Sequence, residues 1–426
     1  MSTPSLDLPQ HRTQPADALT RILRARLLAQ LRDLPEAWIE LDDAMGTQRL
    51  GCGEADAPRA RIEILDADFY RRIATAGSIG AGEAYMDGLW RSDDLVALLR
   101  MLVRNRDRLD AIDNGIARAA GLALRVWHAL QRNTRSGSRR NIAAHYDLGN
   151  ALFELFLSPD MMYSSAIFAR ADETLESASR RKLERICRKL DLQSSDRVLE
   201  IGTGWGGFAI HAAREYGCRV ATATISREQY ELARARIAAA GLTDRIEVLL
   251  ADYRDLGGRY DKLVSIEMVE AIGHQYLDLY FQRIVALLEP HGAALVQAIT
   301  IEDRRYAKAL REVDFIKRHI FPGSFIPSVG ALSGAIARAG DLRLVNLEDI
   351  GSSYALTLQA WRERFLQRLP EVRALGYDER FARMWEFYLA YCEAGFREQA
   401  LGDVQLLLHR ARTPAAPWLP QVADAT

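Results

Sequence analysis

An apolar strand that ends on an acid and runs straight into glycines is the feature that most constrains this chain: Val198-Leu199-Glu200-Ile201 is followed by Gly202-Thr203-Gly204-Trp205-Gly206-Gly207. Gly202, Gly204 and Gly207 keep G-x-G-x-x-G spacing, in which missing side chains permit a tight turn and let a ligand approach the backbone beside a helix N-terminus. Such a turn calls for an α/β fold in which strand, turn and helix follow one another. Taken alone, the spacing also fits an ordinary strand-to-helix connection or a dinucleotide pyrophosphate site, so the neighbouring residues must discriminate.

A nicotinamide site needs an acid at the end of the next strand to hold the ribose hydroxyls, yet Cys218-Arg219-Val220-Ala221-Thr222-Ala223-Thr224-Ile225-Ser226 ends on hydroxyls. The acid stands instead at Glu200, ahead of the glycines, where a carboxylate attracts a cationic ligand and repels a pyrophosphate. S-adenosylmethionine, a sulfonium with an amino-acid tail, fits that charge. A third strand, Ile246-Glu247-Val248-Leu249-Leu250, delivers Asp252 and Tyr253 at its carboxyl end, the edge at which open α/β sheets bind ligands. These two residues are candidate adenine contacts.

With 426 residues, of which 49% are hydrophobic and 27% charged, the chain can bury a large core and is too long for one small domain. A formal charge of -1 argues against a surface built throughout for nucleic acid. Cys52, Cys187, Cys218 and Cys392 are far apart, with no C-x-x-C pair and no Cys/His metal spacing, so neither a disulfide framework nor a metal site is expected. They read as free thiols in a reducing cytoplasm. No segment reaches the roughly 20 continuous apolar residues of a membrane span, so any membrane contact is expected to be peripheral.

The expected organisation has five parts. Residues 1–15 read as a polar, proline-bearing disordered lead, and residues 16–112 as a small α+β domain. In that domain a helix runs over Ala16 to Leu34, strands lie at Trp38 to Leu41 and Arg59 to Leu65, and the glycines of Gly77 to Met86 mark a turn. A basic helical linker spans 113–140. The sheet domain covers 141–412, with strands at Val198, Val220, Ile246, Lys262 to Ile266 and Ala293 to Ile299, and a mostly helical end from Leu356 to Arg412. Residues 413–426 form a flexible tail. The fold class is thus α/β, a Rossmann-like sheet with helical additions behind a smaller α+β domain.

Several blocks make the chain resemble the cyclopropane fatty acid synthase family, class I methyltransferases that use S-adenosylmethionine on unsaturated acyl chains of phospholipids. They are Ala144-His145-Tyr146-Asp147-Leu148-Gly149-Asn150, Leu157 to Ser165, the glycine turn, Thr224 to Gln229, Ser265-Ile266-Glu267-Met268-Val269-Glu270, Ile320-Phe321-Pro322-Gly323 and Gly351-Ser352-Ser353-Tyr354. The resemblance covers residues 35 to 410 and implies that Tyr163, Ser164, Gly202, Gly204, Thr224 and Gln229 line the cofactor. It also implies a bicarbonate ion as base, held by Glu270, Tyr354 and the backbone of Ile299. The family's cysteine and histidine at that ion are replaced here by Ser165 and Gln297. Both can still donate hydrogen bonds, but neither brings the positive charge of a protonated histidine. The implied setting is a cytoplasmic protein, in the family a dimer, on the inner membrane surface, with an unsaturated phospholipid as partner and no nucleic acid.

The alkene supplies the electrons, so the protein's expected task is to shelter a carbocation in a dry channel, with Tyr163, Phe168, Tyr354 or Tyr388 offering aromatic faces. If Ser165 and Gln297 do not hold the base, proton loss elsewhere yields a methylated or methylene chain. The linker carries a second signal. No acid occurs between Asn114 and Tyr146, while Arg118, Arg125 and Arg132 recur at heptad spacing beside Leu122, Val126 and Trp127. The pattern fits a helix lying on anionic headgroups and equally a solvated interdomain face. On the lipid reading, replacing Arg118, Arg125 and Arg132 by Glu weakens co-sedimentation with anionic vesicles. Unchanged binding removes that reading.

Overall fold

The computed structural model describes residues 17–54, 57–112 and 148–413. Both the segment 113–140, expected to be a basic helical linker, and the Ala144 to Asp147 part of the first family block lie outside them. The described residues form two compact units: 17–112 with 312–320 and 358–400, and 148–311 with 321–357 and 401–413.

In the first unit β1 (Trp38–Asp43), β2 (Gly46–Leu50), β3 (Arg59–Ile64) and β4 (Trp90–Ser92) form a sheet of order β2-β1-β3-β4. Alternation is clean in β3, where Ala60, Ile62 and Ile64 are buried and Arg59 and Arg61 exposed. The glycine turn expected here lies at Gly77, between two helical segments. Two helical segments together cover Asp68–Met86 and meet at a kink at Gly77, whose φ of 55° favours glycine. Gly82 is there for packing: a Cβ at that position would stand 2.5 Å from the Phe315 ring. The glycines of this segment thus serve both a turn, at Gly77, and close packing, at Gly82. The late helix Glu379–Arg397 also belongs to this unit, with Trp385, Phe387 and Tyr388 buried.

The second unit is a sheet of seven strands: β5 (Arg197–Ile201), β6 (Arg219–Thr224), β7 (Ile246–Leu250), β8 (Tyr260–Ile266), β9 (Leu288–Ile301), β10 (Leu342–Asp349) and β11 (Leu401–Arg410), in the order β10-β11-β9-β8-β5-β6-β7. β7, β6, β5, β8 and β9 are parallel, and β11 pairs antiparallel with β9 and β10. The expected Rossmann-like sheet is present. The end of the chain departs from expectation, because Leu401–Arg410 is a strand rather than a continuation of helix. Its run Val404-Gln405-Leu406-Leu407-Leu408 is buried throughout, as an inner strand requires.

β5 sits between β6 and β8, so the connections leave it in opposite directions and open a crevice at its carboxyl end. Both faces of the sheet are covered. The helix Gly207–Tyr216 packs Phe208, Ala209, Ala212 and Ala213 against Val198 and Val220 on one side. Leu277–Leu287 lays Tyr280, Phe281 and Ile284 against Leu199, Leu263 and Val296 on the other. Each such fully buried large side chain contributes about 1.5–3 kcal/mol. Cys52, Cys187, Cys218 and Cys392 are all free thiols. No described helix is long and apolar enough to cross a membrane.

Candidate active site

The glycine turn follows β5 directly. Gly202 has φ 101°, and a Cβ there would press on Met268 at 3.3 Å. Gly207 is fixed by close approach, because its Cβ would lie 2.5 Å from the Asp160 carbonyl oxygen. Beside Gly204 the space is open. Glu200 is buried under the turn and accepts from the Thr222 hydroxyl at 2.6 Å. Burial pushes its carboxyl up to about 8, against the Thr222 hydrogen bond and the Lys182 charge. On β6, Thr224 donates to Gln229 Oε1 at 2.8 Å, and Ser226 caps the helix Arg227–Ala239 through the Gln229 N–H at 3.2 Å. Asp252 is clasped by Arg254 at 2.8 and 2.6 Å, while Tyr253 is buried with its ring 5.7 Å from that of Tyr280.

A second cluster lies at the ends of β8 and β9. Glu267 opens the turn after β8 with φ 47°, a conformation that costs a non-glycine residue about 1–3 kcal/mol and persists only where its surroundings enforce it. Its N–H donates to the Gln297 carbonyl at 2.9 Å. Its carboxylate gathers three donors: the Ser165 N–H at 2.8 Å and Gln297 Nε2 at 2.8 Å on Oε1, and the Tyr354 hydroxyl at 2.7 Å on Oε2.

Strand register holds Gln297 in place, with Ile266 opposite it on β8 and Gln405 opposite it on β11. Its other amide hydrogen goes to Asp403 Oδ2 at 3.0 Å, and its Oε1 accepts from Gln405 Nε2 at 3.1 Å. Lys189 donates to Gln405 at 2.9 Å and is anchored by Glu348 at 2.6 Å. Glu270 receives the Ile299 N–H on Oε1 at 2.6 Å, and its carbonyl accepts from Phe325 at 3.1 Å. Its Oε2 is shielded from solvent and lacks a hydrogen-bond partner among the described residues. The helix Leu175–Lys189 brings the fully buried Lys182 to the Ser164 hydroxyl at 2.6 Å.

The cluster therefore brings together Ser164, Ser165, Gln297, Ile299, Tyr354 and Glu270 from the residues singled out in the sequence, and adds Glu267, Asp403, Gln405 and Lys182. Burial raises Glu267, Glu270 and Asp403 together. Glu270 is pushed up to about 8 by burial and then by the Glu267 charge, and Asp403 is held well above the carboxylate range by burial and then by Glu267 and Glu270. Glu267 is opposed in its rise by Tyr354, Ser165, Lys182 and Gln297. The donors thus favour the anion at Glu267, and its charge keeps the other two protonated. Burial lowers Lys182 despite the attraction of Glu267, Asp403 and Glu200.

These residues do not fit a bicarbonate ion. The Ser165 N–H, the Tyr354 hydroxyl and one Gln297 hydrogen all point to Glu267, and the second Gln297 hydrogen points to Asp403. The Ser165 hydroxyl donates to the Ala166 carbonyl at 2.9 Å, and the Ile299 N–H is taken by Glu270.

Residues 133–406 match the family described as Mycolic acid cyclopropane synthetase. The chain belongs to that family. It is 40% identical over 371 residues to the tuberculostearic acid methyltransferase UfaA1 of Mycobacterium tuberculosis, covering 85% of this chain and 86% of that one. It is 38% identical over 364 residues to the cyclopropane-fatty-acyl-phospholipid synthase of Escherichia coli K12, covering 84% and 89%. Among solved structures, the mycolic acid cyclopropane synthase CmaA1 complexed with SAH and CTAB aligns over 64% of this chain and 98% of its own, with a TM-score of 0.60 at 28% identity. The enzyme class expected from the sequence stands: a methyltransferase dependent on S-adenosylmethionine.

Glu200 supplies a test of the burial argument. Below its ordinary value of 4.5 the folded and unfolded chains both carry the proton; between 4.5 and about 8 only the folded chain keeps it, so stability falls as pH rises through this window. The slope from this one group is at most about 1.4 kcal/mol per pH unit. Glu200→Gln removes it, so the variant's unfolding free energy relative to wild type is expected to rise between pH 5 and pH 8 in urea titrations. A flat difference would show that Glu200 titrates as a solvated acid.

Proposed function

We propose that this enzyme transfers the methyl group of S-adenosylmethionine to the double bond of an unsaturated phospholipid acyl chain and closes a cyclopropane. The observation that carries the reading is the enclosed carboxyl cluster at the ends of β8 and β9, near the glycine turn after β5: an attacking alkene supplies its own electrons and requires of the protein a buried proton acceptor, which this cluster offers. The methyl-sulfonium end belongs in the crevice between Gly202 and Glu267, and the amino-acid and adenosine parts along Tyr163, Ser164, Gly204, Thr224, Gln229, Asp252 and Tyr253. The rings of Tyr163 and Tyr354 offer π-faces to a carbocation, and the Tyr354 ring is fixed by its hydrogen bond to Glu267. The acceptor lies in a membrane that the chain meets from the cytoplasmic side.

A second product has support of its own. One relative is named for tuberculostearic acid and another for a cyclopropane product, at 40% and 38% identity. If a 1,2-hydride shift first moves the cation onto the methyl-bearing carbon, loss of a methyl proton leaves a methylene branch in place of the ring. Incubation with S-adenosylmethionine and vesicles of mono-unsaturated phospholipid, followed by proton NMR of the released chains, separates the two. Upfield cyclopropane protons are expected. Olefinic methylene protons would move the enzyme to the branched product, and no mass gain despite cofactor binding would remove the phospholipid acceptor.

A further inference from the structure

Taking the proposed alkene methylation as its frame, we propose that the carboxylate of Glu267 is the reaction's base, built into the chain in the place where a bicarbonate ion would bind, and that catalysis here needs no bicarbonate. Three of the five groups that the family resemblance gives to that ion are Ser165, Gln297 and Tyr354, and all three direct a hydrogen at Glu267, at 2.8, 2.8 and 2.7 Å. A carboxylate and a bicarbonate present the same planar pair of oxygens, so donors arranged for one suit the other. A free anion would have to displace Glu267 from donors tethered beside it, and would enter next to Glu270 and Asp403.

The backbone supports the same assignment. Glu267 is held at φ 47° in the turn after β8, and that turn brings its carboxylate onto donors from three separate segments. Oε1 takes two of the donors and Oε2 takes one, leaving Oε2 the freer oxygen. In the step proposed, the alkene π pair forms a bond to the sulfonium methyl and the S–C bond breaks, giving a neutral thioether and a cation on the neighbouring chain carbon. Glu267 Oε2 takes a proton from the transferred methyl, and the C–H pair closes the third side of the ring. The sums balance: alkene plus sulfonium cation gives cyclopropane, thioether and one proton, which leaves Glu267 to solvent between turnovers.

The test compares wild type, Glu267→Gly and Glu267→Gln in buffer freed of carbon dioxide, with and without added bicarbonate. Glycine suits a positive φ, so the first variant keeps the turn unstrained and opens the donor set. Wild-type turnover is expected to be unchanged, within twofold, by bicarbonate. Glu267→Gly is expected to lose about 10²-fold or more, the range of general-base catalysis, and to recover in part on adding bicarbonate. Glu267→Gln, whose amide still fills the place, is expected to be equally slow and not to recover. Binding of ¹³C-labelled bicarbonate, followed by NMR line broadening, is a readout independent of turnover: none to wild type, and binding to Glu267→Gly. Calorimetry with S-adenosylmethionine establishes that each variant is folded. Wild-type turnover that collapses without bicarbonate, or wild type that binds the labelled ion, would overturn the assignment. If wild type makes no product from phospholipid, the acceptor reading fails, and the labelled-ion comparison still decides whether Glu267 takes the anion's place.

Discussion

Charge crowding at the ends of β8, β9 and β11 is the constraint on which the rest of the site depends. Glu267, Glu270 and Asp403 are gathered where water cannot solvate three anions, with the buried Lys182 ammonium as the charge that offsets them. Uncompensated buried charge is costly enough that such groups take up protons instead. Which of them ionises is decided by donors, and Glu267 has three while Glu270 has the single Ile299 N–H. The polar chain Gln297, Gln405, Lys189, Glu348 fixes one of those donors from behind, so the place of the Gln297 amide is set by strand register.

This constraint explains the antiparallel strand at the end of the chain. β11 enters beside β9 with Asp403 opposite Ile299 and Gln405 opposite Gln297, so its polar residues meet those of β9 at the site. A sheet of the five parallel strands alone would lack both Asp403 and the amide that orients Gln297. The last strand therefore orients Gln297 as well as extending the sheet.

Much of this was legible in the sequence. The apolar run ending at Glu200, the glycine spacing after it and the hydroxyl end of β6 sufficed for the sheet and the cofactor class, because each is a local signal with a local cause. Ser165, Gln297, Ile299, Tyr354 and Glu270 were reached through the family resemblance, and they do converge. Glu267 carries no such signal although it stands three residues before Glu270, since an acid after a strand reads as solvated until register shows what surrounds it. Asp403 and Gln405 were hidden for another reason. An apolar run with interspersed polar residues fits helix or strand, and only pairing with β9 decides. Gly77 to Met86 combines both uses of glycine, a kink at Gly77 and close packing at Gly82, and the spacing alone does not tell them apart. With Glu267 in place, Ser165 and Gln297 make sense where a charged histidine would be redundant: the anion they serve is already covalently attached and needs orientation more than capture.

The most direct measurement is an experimental structure of the enzyme with S-adenosylhomocysteine, grown in bicarbonate-rich solution. The account predicts Glu267 between Ser165, Gln297 and Tyr354, with no separate anion on those donors. A trigonal anion held by Ser165, Gln297 and Tyr354, with Glu267 swung away, would contradict it.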